Sequence, residues 1–233
     1  MKTSLKFQIR EVLKKFGIVS NLYWKFFYCP AALQMDLSEL EVPNSIDNKK
    51  ILKIPTDSSI SDAYVDFINV SYDEKTYSKE SLSQLLHEHH YLKDIETFVL
   101  LDEADNIIGS ISAGVYQEEE QWCGIIKFAV SKTLRGQGLG LYLLRYAYCS
   151  LRDRGCLYGE SIVSDRHSRI PSLMSHFKCG FKPQTDREKI QFSVCRGKYN
   201  RLKGAMTNRW VMKYYRAYLK KHPLLKGSTE KTR

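Results

Sequence analysis

The middle of the chain alternates between two hydrophobic periods, and each period predicts its own kind of element. Short runs rich in branched and aromatic residues predict strands, and apolar residues at helical spacing predict helices. The predicted strands are residues 51–54, 97–101, 107–115, 125–130, 157–163, 190–194 and 208–214, and the predicted helices are residues 59–70, 78–90, 140–154 and 171–179. The turn-forming residues 102–106 predict that the second and third strands form a hairpin.

The stretch 125–144 joins an apolar strand, a glycine loop and the start of a helix. Gly136, Gly138 and Gly140 alternate with other residues, so successive backbone N–H groups can point into one concavity. Apolar residues at helical spacing follow, and Gly155 stands where that helix would end. A helix N-terminus carries unsatisfied N–H groups and about half a positive charge. The loop therefore predicts a site for a phosphate or a diphosphate.

Two common phosphate-binding loops do not fit this spacing. A nucleotide triphosphate loop needs Gly-Lys-Ser/Thr, whereas Gly140 is followed by Leu141 and Tyr142. A dinucleotide fingerprint needs Gly-x-Gly-x-x-Gly near the start of a βαβ unit, and here the glycines alternate strictly past the middle of the chain.

The segment from Arg135 to Gly140, which follows the strand end Phe128-Ala129-Val130, resembles the Arg/Gln-x-x-Gly-x-Gly/Ala signature of the GNAT superfamily of acyl-CoA-dependent N-acyltransferases. The resemblance extends over residues 51–214 and includes the later pair Gly180-Phe181. It implies an α/β (mixed α+β) GNAT fold, with a central twisted, mostly antiparallel sheet of about six or seven strands flanked by helices. It also implies acetyl-CoA as co-substrate, an amine acceptor and no metal.

The resemblance assigns cofactor contacts to two groups of residues. In the family, the signature strand parts from its neighbour, so its backbone can hold the pantetheine arm and the thioester carbonyl, and the glycine loop holds the pyrophosphate. The implied cofactor-binding residues are Phe128, Ala129, Val130, Arg135, Gly136, Gln137, Gly138, Leu139, Gly140, Arg169 and Ser172.

The last helix departs from the family pattern Asn-x-x-Ala-x-x-Leu-Tyr-x-x-x-Gly-Phe. Counting back from Gly180-Phe181, these four positions hold Arg169, Ser172, Ser175 and His176. In the family, the tyrosine often protonates the departing CoA thiolate. Histidine titrates near pH 6.5, so His176 is the predicted general acid, and the alternative is a packing histidine.

The general base is left open by the sequence. Where some relatives carry a strand glutamate, this chain has Gly124. An alkyl ammonium must lose a proton before it can attack. The candidates are residues 118–120, which are all glutamate, Glu160, or a path of ordered water molecules.

The net charge of +10 comes from the two ends, because the middle of the chain has more acidic than basic residues. Such ends suit a membrane surface, a nucleic acid or an anionic substrate, and the alternative is a solvated basic surface around the CoA phosphates. Residues 4–28 read as a basic amphipathic helix with an aromatic end, packed on the domain, across a homodimer or on a membrane. The basic segment 195–204 is a candidate wall for an anionic acceptor or a contact for a polynucleotide.

The polar connection 42–50 and the polar tail set the predicted domains: a basic helical extension at 1–45, the acetyltransferase domain at 46–215 and a flexible tail at 216–233. The six cysteines lack metal-ligand spacing, and no signal-peptide or membrane-span pattern is present, which predicts a cytoplasmic protein. We expect an N-acetyltransferase that acts in a ternary complex. The alternatives are an idle CoA-binding module docked through its basic ends, and an RNA-binding protein.

Overall fold

Strands and helices follow one another largely as the hydrophobic pattern predicts. The computed structural model describes residues 31–46, 48–55, 60–72, 77–87, 89–163, 169–184 and 201–223. The described strands are β1 (Ala31–Asp36), β2 (Lys50–Ile54), β3 (Leu92–Leu101), β4 (Ile107–Tyr116), β5 (Trp122–Val130), β6 (Tyr158–Val163) and β7 (Lys182–Pro183). The described helices are α1 (Asp62–Tyr72), α2 (Lys79–His87), α3 (Leu139–Asp153), α4 (Arg169–Cys179) and α5 (Arg201–Lys221), with 3₁₀ turns at Leu37–Glu39 and Lys132–Leu134.

The strands form one mostly antiparallel sheet in the order β2-β3-β4-β5-β6-β1-β7. Each neighbouring pair is antiparallel except β5 and β6, which run parallel because α3 carries the chain back between them. The predicted hairpin is confirmed as β3 and β4. Its turn is held by Asp102, whose Oδ1 accepts from the backbone N–H of Asn106 at 2.9 Å. The mixed α/β fold predicted from the sequence is confirmed.

Helices cover both faces of this sheet and bury an apolar layer against each. The face under α3 and α4, called the α3 face, buries Leu143, Leu144, Tyr148 and Phe177. The opposite face, called the α1 face, lies under α1 and α2. Its buried residues include Tyr64, Ile68, Leu82 and Leu86. Full burial of a leucine or phenylalanine side chain contributes about 1.5–3 kcal/mol, so these two layers hold β3, β4 and β5 between them.

The parallel strands β5 and β6 stay together for only a short distance. Their pairing covers Trp122–Tyr158, Cys123–Gly159 and Gly124–Glu160, and residues 125–130 of β5 have no pairing with β6. On its other edge, β5 pairs with β4 up to Val130, with a bulge that places Ile125 and Lys127 opposite adjacent residues of β4. The opening between residues 125–130 and the end of β6 is called the cleft below.

Two parts of the chain differ from the sequence predictions. Ala31–Asp36, within the predicted extension 1–45, is a strand that pairs with both β6 and β7. Its Ala, Leu and Met residues favour helices, and the partner strands override that preference. The strand predicted at 208–214 is wrong, because Arg201–Lys221 is a helix. Its buried Val211 and Tyr218 are spaced two helical turns apart, and the Tyr218 ring lies 5.8 Å from that of Phe177.

Three other predictions fall outside the described residues: the helix at 4–28, the strand at 190–194 and most of the basic segment 195–204. Within the described ranges, no helix is both long enough and apolar enough to cross a membrane.

Candidate active site

The glycine loop ends in a helix N-terminus that is open to a ligand. Gly138 caps α3 in the left-handed region, with φ 85° and ψ −9°, and Gly136 has φ 89°. A Cβ atom built on either glycine would have no atom within 4 Å, so both point into open space. Other residues rarely adopt this conformation. The N–H groups in the first turn of α3 have no helical partners and line a concavity suited to an anion.

The remaining loop residues divide between exposed and packed positions. Gln137 is exposed, whereas the Leu139 side chain is buried in the core, so Leu139 can offer only its backbone to a ligand. A Cβ on Gly140 would lie 3.1 Å from Cζ of Phe128 and 3.7 Å from Cγ2 of Val130. Glycine at this position therefore lets the start of α3 lie directly against the strand end.

Arg135 fastens the loop to two other elements. Its Nε donates to the Val130 carbonyl at 3.3 Å, and its guanidinium also donates to the Ser71 carbonyl, near the end of α1, at 3.1 Å. The side chain therefore links the glycine loop, β5 and α1. Its role as a direct pyrophosphate contact stays a prediction.

The strand end Phe128-Ala129-Val130 forms one edge of the cleft. The Phe128 ring lies on the α3 face, 6.0 Å from the His176 ring, whereas Ala129 is buried on the α1 face. The Phe128 carbonyl accepts from the Tyr72 O–H at 2.8 Å. Burial raises the pKa of Tyr72 to about 12, so this phenol is neutral and can donate.

His176 lies behind Phe128 and is almost fully buried, with 2% of its surface exposed. One ring nitrogen, Nδ1, lies 2.7 Å from the Ser172 carbonyl, which can only accept, so Nδ1 carries the proton. Nε2 then accepts from the Ser161 hydroxyl at 2.7 Å. Burial lowers the pKa of His176 to about 4. A neutral histidine whose proton is held by a backbone carbonyl does not fit the predicted general acid.

The N-terminal half of α4 lies beside the glycine loop. Arg169 is its first residue, and the Ser172 carbonyl holds His176 in place. The Ser175 hydroxyl donates to the Pro171 carbonyl at 3.2 Å and would lie 3.7 Å from a Cβ on Gly140. The cofactor contacts assigned to Arg169 and Ser172 stay predictions.

Among the candidate bases, the structure brings Glu160 to the point where β5 and β6 part. It is buried, with 5% of its surface exposed, and lies opposite Gly124 on β5. Its Oε2 accepts from the Tyr116 O–H at 2.8 Å, and the Tyr116 ring would lie 3.2 Å from a Cβ on Gly124. Burial and the Glu160 charge raise the pKa of Tyr116. By contrast, Glu120 is exposed and forms an ion pair with Lys93.

Tyr116 and three further residues near the cleft were not identified from the sequence. Lys127, on the α1 face, places its Nζ atom 4.9 Å from the centre of the Tyr72 ring and 4.2 Å from that of Tyr77. Its ammonium also donates to the Tyr77 hydroxyl. In the sequence, the one sign of this cluster is a charged residue inside an apolar strand, because the two tyrosines lie in a separate segment of the chain.

Other reactive side chains do not gather into a second centre in the described ranges. There, no group of three or more His, Cys, Asp or Glu side chains could hold a metal ion. The four cysteines described are free and buried: Cys123, Cys149, Cys156 and Cys179.

Solved structures similar to this one carry the same kind of fold. A GCN5-related glucosamine N-acetyltransferase region of a fungal multi-domain β-N-acetylglucosaminidase matches with a TM-score of 0.51 and 15% identity, over 79% of this chain and 22% of that one. A tandem GNAT protein of the clavulanic acid biosynthesis pathway matches with a TM-score of 0.50 and 16% identity, over 68% of this chain. A GCN5-related N-acetyltransferase from Sphaerobacter thermophilus matches with a TM-score of 0.49 and 15% identity, over 70% of this chain.

This chain spans 51% of the clavulanic acid pathway protein and 52% of the Sphaerobacter protein. A search of curated proteins found no match. The sequence model of the acetyltransferase (GNAT) family matches residues 61–173. That match runs from the start of α1 into α4 and contains the whole glycine loop, so this part of the chain is similar to the GNAT acetyltransferase family.

Proposed function

We propose that this protein is an N-acetyltransferase that moves the acetyl group of acetyl-CoA to a primary amine. Members of the GNAT family use acetyl-CoA as co-substrate. The observation that carries the proposal is the position of the cleft, which opens where the glycine loop and the N-terminus of α3 meet β5. A diphosphate bound at the loop would leave its attached arm beside Phe128 and Val130.

In the proposed reaction, the cofactor and the acceptor bind on opposite faces of the sheet. On the α3 face, the Phe128 ring, Gly140 and His176 surround the strand end, so the cofactor enters from the glycine loop. On the α1 face, the cleft is bordered by Tyr72, Lys127 and Glu160. The acceptor therefore approaches from the α1 face, and the two substrates meet in a ternary complex.

Glu160 is the general base of the proposed reaction, acting through Tyr116. The acceptor ammonium gives a proton to the Tyr116 oxygen while the Tyr116 hydroxyl gives its own proton to Glu160. The neutral amine then attacks the thioester carbonyl carbon, forming a C–N bond and a tetrahedral oxyanion. The oxyanion collapses, the C–S bond breaks, and CoA leaves as a thiolate that takes a proton from water.

His176 positions the cleft in this scheme and does not supply a proton. A thiol has a reference pKa of about 8.5, so a thiolate leaves more readily than an alkoxide and needs less help from an acid. The buried imidazole instead ties α4 to β6 through Ser172 and Ser161. The distance between α4 and β6, on one side of the cleft, is thereby fixed.

Calorimetric titration of the full chain with acetyl-CoA, CoA and ATP tests the proposal. We expect saturable binding of both CoA forms and no binding of ATP, followed by thioester cleavage with amines. Failure to bind acetyl-CoA would overturn the proposal. Binding without turnover by any amine would identify an idle CoA-binding module instead.

A further inference from the structure

Lys127 places a positive charge at the border of the cleft. It directly precedes Phe128, whose carbonyl accepts from Tyr72, and its side chain lies on the α1 face. Lysine is uncommon in a strand that is otherwise Trp, Cys, Gly, Ile, Phe, Ala and Val, because transferring its charge from water costs free energy. This cost calls for a structural or a functional reason.

The neighbours of Lys127 hold the ammonium without neutralising it. The Tyr72 and Tyr77 rings lie 4.9 and 4.2 Å from Nζ, which is cation–π distance, and the Tyr77 hydroxyl accepts a hydrogen bond. The high pKa of Tyr72 keeps that phenol uncharged at neutral pH. No carboxylate among the described residues forms an ion pair with Lys127. Within the part of the chain that the structure describes, the ammonium is therefore held by neutral groups, which leaves its charge for an anion.

Lys127 and Glu160 lie on the same face of the sheet, at two ends of the acceptor side. Glu160 is opposite Gly124, and Gly124 precedes Lys127 by three residues on β5. Gly124 and Lys127 lie opposite β4 residues that are two apart, which is about 6.6 Å along the sheet. Glu160 is one strand spacing of about 4.8 Å to the side, so the two side chains start about 8 Å apart. An acceptor lying between them meets a negative group that takes its proton and a positive group that does not.

We propose that the acceptor carries an anionic group, a carboxylate or a phosphate, a few bonds from its primary amine, and that Lys127 binds this group. The inference rests on the proposed acetyl transfer and names the class of its acceptor. A hydrogen-bonded charge pair in a partly buried site favours the anionic acceptor over a neutral one by roughly tenfold. Lys127 is then a specificity residue that orients the amine towards the thioester.

Matched acceptors that differ by one anionic group test the proposal. Phenylalanine is compared with phenylalaninamide, and phosphoethanolamine with ethanolamine, by following thioester cleavage at saturating acetyl-CoA. The amide keeps the size and shape of the amino acid and removes its negative charge, and because it also lowers the pKa of the amine, each pair is compared over a series of pH values. We expect kcat/KM about tenfold higher for the anionic member of at least one pair, mostly through KM. The pair that shows it tells a carboxylate site from a phosphate site.

Three variants assign that preference to Lys127. Lys127→Met keeps the length of the side chain and should abolish the preference, whereas Lys127→Arg keeps the charge and should retain it. Lys50→Met, on the exposed strand β2, makes the same exchange away from the cleft and should change nothing. Acetyl-CoA affinity measured by calorimetry should stay within twofold in all three variants.

The possible outcomes distinguish failure of this inference from failure of the proposed acetyl transfer. If an amine is acetylated but neither anionic acceptor is preferred, or if Lys127→Met keeps the preference, the inference is wrong and acetyl transfer stands. If Lys127→Met loses acetyl-CoA affinity, the lysine serves the cofactor and the inference is again wrong. If the unmodified chain does not bind acetyl-CoA, both proposals fail together.

Discussion

The two sides of strand β5 meet their proposed substrates with different chemistry. On the α3 face, the loop offers backbone N–H groups and positions without a Cβ atom, at Gly136, Gly138 and Gly140. On the α1 face, the cleft offers charged and phenolic side chains. The proposed cofactor would be held by backbone groups and the proposed acceptor by side chains, so the acceptor side can be changed with little effect on the cofactor side.

This difference separates what the fold must conserve from what it can vary. A backbone site needs only that the chain adopt left-handed geometry at the right positions, and many sequences meet that condition. A side-chain site changes with every substitution at residues such as Glu160 or Lys127. Similar structures at 15% and 16% identity can therefore share the fold without sharing an acceptor.

The largest effect is expected on the α1 face, at Glu160. Glu160→Gln keeps the shape of the side chain and removes the base, so kcat should fall by about 10²–10⁴-fold. The affinity for acetyl-CoA should stay within twofold, because the α3 face is unchanged. Steady-state kinetics with a competent acceptor and calorimetry with acetyl-CoA measure the two quantities.

Two companion variants sharpen this result. Tyr116→Phe removes the proposed relay and should also lower kcat, whereas Glu120→Gln breaks an exposed ion pair and should leave kcat unchanged. Unaltered kcat in Glu160→Gln would move the base elsewhere.

The next largest effect concerns His176, on the α3 face, and is a dependence of the free energy of unfolding on pH. The pKa of His176 is about 4 in the folded chain and about 6.5 in the unfolded chain. Between these values the unfolded state binds more protons, so stability is full above about pH 6.5 and decreases as the pH falls towards 4. The loss approaches about 3 kcal/mol, measured by urea unfolding at a series of pH values.

His176→Phe should remove this pH dependence and change kcat by less than about fivefold at pH 7. A loss of 10²-fold or more in kcat, with acetyl-CoA affinity intact, would restore His176 as the general acid.

A smaller effect distinguishes loss of ligand binding at the glycine loop from the loss of stability that backbone strain causes at any glycine with positive φ. Gly138 and Gly155 both have positive φ, 85° and 102°, and a Cβ on either would meet nothing within 4 Å. Gly138→Ala and Gly155→Ala should therefore each destabilise the fold by about 1–2 kcal/mol. Only Gly138→Ala should weaken acetyl-CoA binding, by about tenfold, because its new methyl group enters the concavity. Equal affinities by calorimetry would place the diphosphate elsewhere.

Gln137→Ala completes that comparison on the same loop. Its side chain is exposed, and the cofactor side acts through backbone groups, so acetyl-CoA affinity should change by less than about twofold.

The sequence was informative where the structure is local. The strand, the glycines and the following helix occupy one continuous stretch, so their periodicity predicts these elements correctly. The α1 face joins Tyr72, Tyr116, Lys127 and Glu160 from four elements, and no spacing along the chain shows that they meet. Periodicity also cannot show that His176 is buried and neutral, because burial depends on how Phe128 and Phe181 pack around it.

The bulge in β5 adds one residue between Gly124 and Lys127. Residues three apart in a regular strand point to opposite faces, yet Gly124 and Lys127 both face α1, because one extra residue intervenes. Deleting Ile126 would place Gly124 and Lys127 two residues apart on a regular strand, so both would still face α1. A deletion at this codon is therefore a way in which related genes could lose the bulge and its local twist while Lys127 stays on the acceptor side of the sheet.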